Sequence, residues 1–322
     1  MRILPISELP EYLTASWGTL VWSDRDTPFD RKFLNRVRSL GVPLASYLGL
    51  VAVEGDEVLA QVMIGHYRLT ASRGTEEISG IENVVVRPDA LHRGLCTALL
   101  TEAHRRESVA GHRWAMLWTQ RSWGAHRLYE RLGYRDIYSP PTAVRPPGEK
   151  RAPRLPKGFR LRGARGRDGR LLTSLRRRST RGRWGFRDRF SRAFPARFAL
   201  GWRNAKDHHL LLHGGAAVGY FAGEENARGV EVNEALVLRP EFIPALLDGM
   251  QARARGRWLE LGCTTFVVEA QEQLEERGFS LARSCHKTLM ARALPDPTDR
   301  SVAVLRRTAA SSRFSCHRGD MF

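Results

Sequence analysis

One stretch of the chain, residues 80–100, constrains the fold more than any other. It begins with the β-branched run Val84–Val86, which favours a buried strand. Pro88 ends that strand, because a proline cannot donate to a sheet ladder. A turn carrying Gly94 follows, and apolar residues then recur at helical spacing. The stretch therefore predicts a strand, a glycine-bearing turn and a helix.

A turn of this kind gathers several backbone N–H groups at one point, and the start of the helix adds the positive end of its dipole. A phosphate or pyrophosphate suits such a site. A single glycine in a turn is weak evidence by itself, and an ordinary strand-to-helix turn explains it about as well.

The sequences of two segments resemble the acyl-CoA-binding core of the GNAT superfamily of N-acetyltransferases. The first is Leu91–Cys96, where the family has Arg/Gln-x-x-Gly-x-Gly/Ala. Gly94 fits that pattern, whereas Leu91, His92 and Cys96 depart from it. The second is residues 122–138, which resemble Asn-x-x-Ala-x-x-Leu-Tyr-x-x-x-Gly-Phe. Its matching residues are Ala125, Leu128, Tyr129, Leu132, Gly133 and Tyr134, with Ser122 at the Asn position.

This resemblance implies an α/β (α+β) fold and an enzyme, an acetyl-CoA-dependent N-acetyltransferase. A primary amine would attack the acetyl group directly in a ternary complex, with acetyl-CoA as cosubstrate and no metal. Main-chain N–H groups at the end of the Val84–Val86 strand would stabilise the oxyanion. The coenzyme-binding residues implied are Val84, Val85, Val86, Leu91, His92, Arg93, Gly94, Leu95, Cys96, Thr97 and Ser122.

Two catalytic residues are implied by the same resemblance. Tyr129 would protonate the thiolate as it leaves, since a phenol keeps its proton at neutral pH. Glu82 would accept a proton from the amine, directly or through water. Apolar strands beside a carboxylate raise its pKa toward the neutral range that suits a base. The alternatives are a packing aromatic for Tyr129 and a structural carboxylate for Glu82. His66 and Tyr67 lie where a substrate could be met, although closing a strand explains His66 better.

At 322 residues the chain is long enough for two domains. Six prolines crowd residues 139–156 and predict a linker with no regular element. We expect tandem GNAT-like domains, each a mixed, mostly antiparallel sheet flanked by helices. The predicted units are a GNAT domain at 1–145, a linker at 146–157, a degenerate GNAT-like domain at 158–294 and a disordered tail at 295–322.

An internal repeat supports the second domain. Aligning Arg239-Pro240 with Arg87-Pro88 places Glu234 on Glu82. The copy has no glycine in the turn after Pro240, and Leu274 replaces the tyrosine. We therefore expect this copy to bind no coenzyme, and to bury a face of the first domain or to shape its acceptor cleft.

The net charge of +18 is concentrated in residues 151–205, which carry 18 Lys and Arg against two Asp. Arg176–Arg178 and six later arginines, Arg181, Arg183, Arg187, Arg189, Arg192 and Arg197, are interleaved with Trp184, Phe186 and Phe190. Cations for phosphates and rings for stacking favour a polyanion surface, whereas an Arg-rich amphipathic helix pair explains the same composition at least as well.

Two other function classes stay open. One is a tRNA-linked aminoacyl transferase with a basic second domain, and the other is a non-catalytic acyl-CoA-binding regulator. The expected acceptor is an amine-bearing small molecule or a protein amine. Four cysteines without close pairing, and the lack of a leader pattern or a long apolar run, favour a cytoplasmic protein away from membranes.

Overall fold

A computed structural model describes residues 1–13, 16–17, 20, 48–71, 74–148, 153–185, 207–262, 264–282, 287–294 and 299–309. These residues form two seven-stranded sheets flanked by helices, so the predicted α/β fold with tandem domains is confirmed. The sequence also predicts a helix at Thr27–Leu40, and this segment lies outside the described residues. None of the described helices is long and apolar enough to cross a membrane.

The first sheet has the strand order β1-β2-β3-β4-β5-β14-β6. Its strands are β1 Arg2–Pro5, β2 Leu48–Glu54, β3 Glu57–Ala71, β4 Gly74–Val86, β5 Trp114–Gln120, β14 Lys287–Ala293 and β6 Arg135–Tyr138. Only β4 and β5 run parallel, and every other neighbouring pair is antiparallel. The sheet is therefore mixed and mostly antiparallel, as the sequence predicts.

Two helices cover one face of this sheet. They are α1, Leu95–Val109, and α2, Gly124–Arg131. Helix α1 buries Leu95, Leu99 and Ala103, whose four-residue spacing puts them on one side of the helix. Gly133, with a φ of 87°, ends α2 in the left-handed conformation that the sequence predicts.

The second sheet has the order β13-β7-β12-β11-β10-β9-β8. Its strands are β7 Thr142–Arg145, β8 Phe159–Gly163, β9 His208–His213, β10 Ala216–Glu225, β11 Gly229–Val237, β12 Trp258–Leu261 and β13 Ser280–Ala282. The described helices are α3 Gly169–Ser179, α4 Ile243–Ala254, α5 Thr264–Glu269 and α6 Gln271–Glu276. The core of this domain lies between the sheet and α4 to α6.

Each sheet takes one strand from beyond the predicted domain boundary. Strand β7 was expected to lie in the first domain or in a linker without regular structure, yet it pairs with β12 and β13 in the second sheet. Strand β14 was expected in the second domain, yet it pairs with β5 and β6 in the first sheet. The predicted absence of regular structure is wrong at residues 142–145. The prolines of this segment flank β7 without interrupting it.

The predicted disordered tail also needs correction. Asp299–Ala309 form helix α7, which packs against the first sheet through Val302 and Leu305. The apolar side of this helix is narrow and lies among arginines, so the sequence gives little sign of it. Residues 310–322 lie outside the described residues.

Candidate active site

Strands β4 and β5 separate from each other after a very short paired region. They pair only at Ser79–Ala115 and Gly80–Met116, and then diverge toward their carboxyl ends. The other edge of β5 pairs with β14 along its whole length. The sheet therefore has an opening between these strands, which is lined by the backbone edges of residues 81–86 and 117–120. An extended ligand that carries amide groups can form hydrogen bonds with these edges.

A β-bulge in β4 lies beside this opening. The register with β3 shifts between Gln61 and Met63, and Asn83 has a φ of 43°. The Gln61 side chain donates to the Asn83 carbonyl at 3.2 Å and accepts from the Trp17 indole at 2.6 Å. A bulge leaves backbone groups outside the ladder and free for another partner. The sequence gives little sign of this bulge, because only the tolerance of Asn for a left-handed backbone hints at it.

The predicted glycine-bearing turn connects β4 to α1. His92 and Gly94 both have left-handed backbones, with φ of 62° and 75°, and Gly94 is the N-cap of α1. A Cβ atom added at Gly94 would meet nothing within 4 Å, so the space in front of the turn is open. The first amides of α1, at Leu95, Cys96 and Thr97, have no intrahelical acceptor. This geometry can hold an anion.

The side chains of the predicted coenzyme-binding residues lie in different places. Val84 and Val86 pack into the core under α1, and Val85 packs on the opposite face of the sheet. Only the backbones of these three valines therefore line the opening. Leu91, His92, Arg93 and Thr97 are exposed around the turn, and Leu95 is buried. Arg93 donates to both carboxylate oxygens of Glu54, at 2.8 and 2.9 Å, which fastens the turn to β2.

Tyr129 brings the two predicted motifs together. It lies on α2, is 7% exposed, and is close enough to Cys96 in the first turn of α1 to interact with its thiol. Burial, and to a smaller extent the nearby Cys96, raises the pKa of the Tyr129 hydroxyl. Burial also raises the pKa of the Cys96 thiol. Tyr129 therefore keeps its proton across the physiological range, as a donor must.

Two further residues border the same opening. Ser122 is exposed in the turn before α2. Thr119 lies on β5, is 4% exposed, and its hydroxyl has no hydrogen-bond partner among the described residues. It shares the α2 face of the sheet with Leu117, because alternate residues of a strand point to one side. Sequence analysis missed Thr119, since a threonine in a strand gives no signal of its own.

Glu82 lies on the other face of the sheet from Tyr129. It is half-buried and accepts a hydrogen bond from the Tyr67 hydroxyl. The Tyr67 ring lies over Gly65, where any larger side chain would collide with it. The opening between β4 and β5 thus has the predicted acid on one side and the predicted base on the other. His66 points to the α1 face instead, where it contacts Glu107.

The glutamate of the second domain is in a different environment. Glu234 is 1% exposed, forms an ion pair with Arg176 of α3, and accepts from the Tyr220 hydroxyl. Helix α4 begins after a right-handed N-cap with a proline in its first turn, and it has no left-handed glycine. Leu274 is fully buried. These features agree with a second copy that lacks the anion-binding turn.

Part of the Arg-rich segment, residues 153–185, is described. Arg162 pairs with Asp168 at 2.7 Å, Arg176 pairs with Glu234, and Arg183 pairs with Glu269. Three of its arginines therefore serve the second domain itself. The later arginines and aromatics, Phe186, Arg187, Arg189, Phe190, Arg192 and Arg197, lie outside the described residues.

Comparisons with known proteins point to one kind of domain and one fold. The sequence model of the acetyltransferase (GNAT) domain matches residues 46–136. A search of the curated proteins gave no match. A probable N-acyltransferase from Enterococcus faecalis superposes with a TM-score of 0.67 at 14% identity, covering 91% of this chain and 72% of the other. A GCN5-related N-acetyltransferase from Kribbella flavida gives 0.62 at 17% identity, covering 94% and 74%.

A third solved structure has the same two-domain arrangement. It is a tandem GNAT protein from the clavulanic acid biosynthesis pathway, with a TM-score of 0.58 at 15% identity, covering 92% of this chain and 99% of that one. At such identities the likeness establishes the fold. The chain is thus a tandem GNAT-fold protein. The match to the acetyltransferase (GNAT) domain model covers residues 46–136, which lie within the first domain.

Proposed function

We propose that the protein is an acetyl-CoA-dependent N-acetyltransferase that acts on a primary amine. One observation carries this proposal: the opening between β4 and β5 has an anion-binding turn at one end and a buried tyrosine beside that turn. The turn fits the coenzyme pyrophosphate, and the backbone edges of residues 81–86 and 117–120 fit the amides of its pantetheine arm. The free hydroxyl of Thr119 offers this arm a further polar contact.

In the proposed reaction the acceptor amine approaches from the Glu82 face. Its nitrogen attacks the acetyl carbonyl carbon, and backbone N–H groups at the bulge stabilise the oxyanion. The carbon–sulfur bond then breaks, Tyr129 gives its proton to the departing thiolate, and Glu82 takes the proton lost by the amine, directly or through water. Burial raises the pKa of Tyr129, and burial in the same cleft would also raise the pKa of the coenzyme thiol. The two pKa values therefore shift in the same direction, which favours proton transfer from the phenol to the thiolate.

The acceptor is an amine-bearing small molecule or a protein amine. A cavity of about 250 Å³ lies on the Glu82 face of the sheet, between the strands and α7. Its lining includes Trp114, Met116 and Trp184, with Glu76 and Arg113 adding charge. Polyanion contact through residues 151–205 and a cytoplasmic location stay predictions.

The deciding experiment is calorimetric binding of acetyl-CoA to the full chain and to Gly94→Glu. We expect at least about 100-fold weaker binding by the variant, because its side chain and charge would occupy the anion position. Gly214→Glu is the matched control, since Gly214 also has a positive φ, of 57°, and open space around it. The control should bind like the parent.

Thiol release with a panel of primary amines then tests catalysis. Binding without release on any amine would favour the regulator over the enzyme. A parent protein that binds no acetyl-CoA would contradict the proposed function itself.

A further inference from the structure

Three side chains able to bind a metal converge on the α1 face of the first sheet. His66 comes from β3, Glu107 from the last turns of α1, and His112 from the turn that follows α1. Their ligand atoms all lie within 4.8 Å of one another. The resemblance to acetyltransferases gave no reason to expect this cluster.

The three groups meet at one carboxylate oxygen. The Nε2 atom of His66 lies 2.7 Å from Oε2 of Glu107, and Nε2 of His112 lies 3.5 Å from the same oxygen. The two imidazole rings have their centroids 4.3 Å apart. The hydroxyl of Ser79 donates to that Oε2 at 2.5 Å. Ser79 therefore holds the Glu107 carboxylate in place and leaves both histidines available as ligands.

Local structure explains why the side chains converge. Gly111 has a φ of 88°, which lets the chain turn back at the end of α1. The His112 amide then bonds to the Glu107 carbonyl at 3.1 Å, which sets His112 beside Glu107. Across the sheet, His66 pairs with Ser79 in the β3–β4 ladder. Each member is thus fixed by backbone geometry.

We propose that His66, Glu107 and His112 form a binding site for Zn²⁺, with Ser79 orienting the carboxylate ligand. Two neutral imidazoles and one carboxylate, without a thiolate, suit zinc, which takes three protein ligands and a water in open sites. Bonds of about 2.1 Å place tetrahedral ligand atoms about 3.4 Å apart, so small side-chain rotations close the site. The Glu107 and His112 side chains are 8% and 11% exposed, whereas His66 is 39% exposed and leaves water a path to the ion.

The position of this site gives it a structural role. Ser79 and Gly80 form the last paired positions before β4 and β5 separate, so the ion lies at the closed end of the opening. It also lies at the opposite end of α1 from the anion-binding turn. A bound ion would tie the end of α1 to β3, while taking no part in acyl transfer.

The test uses the full-length protein after treatment with a chelator. Titration calorimetry with Zn²⁺ should give one ion per chain, and Co²⁺ should give a visible absorption spectrum of histidine ligation. Zn²⁺ should also raise the melting temperature by several degrees, since a ligand that binds only the folded state stabilises it.

Variants locate the site. His112→Gln and Glu107→Gln should each weaken Zn²⁺ binding at least about 100-fold, and Ser79→Ala should weaken it about 10- to 100-fold, as second-shell partners do. The controls are His213→Gln, an exposed histidine of the second domain, and Glu102→Gln, a half-buried carboxylate of the same helix that pairs with Arg105 and Arg106. Both should bind Zn²⁺ like the parent.

Two results would overturn the proposal. One is a parent protein that takes up no Zn²⁺ at micromolar concentration, which would leave a hydrogen-bonded cluster only. The other is undiminished binding by His112→Gln, a substitution in a turn that should leave the fold intact. Should Glu107→Gln fail to fold, His112→Gln and the Co²⁺ spectrum of the parent decide the question by themselves.

Discussion

A single hydroxyl, that of Tyr129, combines two properties that a proton donor needs. It is 7% exposed, so burial raises its pKa, and it borders the opening in which the coenzyme is proposed to bind. A phenol in this position stays protonated even in mildly alkaline solution. Its availability as a donor should therefore not limit the alkaline side of a pH–rate profile below about pH 10.

Replacing Tyr129 by Phe removes only this hydroxyl. We expect kcat to fall about 100-fold while acetyl-CoA binding stays unchanged, since general acids contribute about 10²- to 10⁴-fold. Thiol release and calorimetry measure the two quantities. Tyr12→Phe is the control, because Tyr12 is 60% exposed and belongs to neither of the two motifs. An unchanged kcat in Tyr129→Phe would remove its catalytic role.

Glu82 and Glu234, which align in the internal repeat, should differ in how substitution by Gln affects activity and stability. Glu82→Gln should lower kcat and leave the melting temperature nearly unchanged, because Glu82 is half-buried and bonded to a neutral tyrosine. Glu234→Gln should destabilise the protein by about 3–5 kcal/mol, because it leaves Arg176 buried without its carboxylate. Activity assays and thermal melts distinguish the outcomes. Equal loss of stability in both variants would argue against a catalytic Glu82.

At the scale of elements, β14 is fastened by a buried polar network. Its Arg292 contacts Nδ1 of His104 at 2.9 Å and donates to the Leu132 carbonyl at 2.7 Å. His104 Nε2 lies 2.8 Å from the Tyr134 hydroxyl. The arginine can only donate, so Nδ1 of His104 accepts and the imidazole is neutral. The network joins β14 to α1 and to the end of α2.

This network predicts acid sensitivity. Burial, and then the charge of Arg292, lowers the pKa of His104 to about 3, against about 6.5 in an unfolded chain. The unfolded state therefore binds a proton that the folded state refuses, and stability is lost as the pH falls from about 6.5 toward 3, at up to about 1.4 kcal/mol per unit.

Melting temperatures measured between pH 7 and pH 4 test this. We expect His104→Gln to flatten the acid slope, and His92→Gln, an exposed histidine in the turn before α1, to leave it unchanged. Identical slopes in the parent and in His104→Gln would contradict the assignment.

Several elements could be predicted because their signals are local. The valines of β4, the turn at Gly94 and the helix cap at Gly133 each depend on near neighbours in sequence. The bulge at Asn83 and the free hydroxyl of Thr119 depend on pairing across the sheet, so the sequence gives little sign of them. Likewise, the order of elements along the chain does not reveal that β14 lies between β5 and β6.

At the scale of the whole molecule, the exchanged strands make the two halves dependent on each other. Without β14, the first sheet loses the strand that joins β5 to β6, and the buried side chains of Leu289, Met290 and Ala291 leave its core. A fragment of residues 1–148 should therefore fail to unfold cooperatively, whereas the full chain should show a cooperative transition. Calorimetry compares them, and a cooperative melt of the fragment would show that the first domain folds alone.

The same exchange affects biosynthesis. A ribosome releases β6 roughly 150 residues before it releases β14, which at about 5–20 residues per second is a delay on the order of ten seconds. Throughout that interval the facing edges of β5 and β6 have no native neighbour, and open strand edges invite pairing with other chains. Completion of the core of the first domain thus waits until β14 has been translated. A nascent chain of this kind is an expected client of ribosome-associated chaperones.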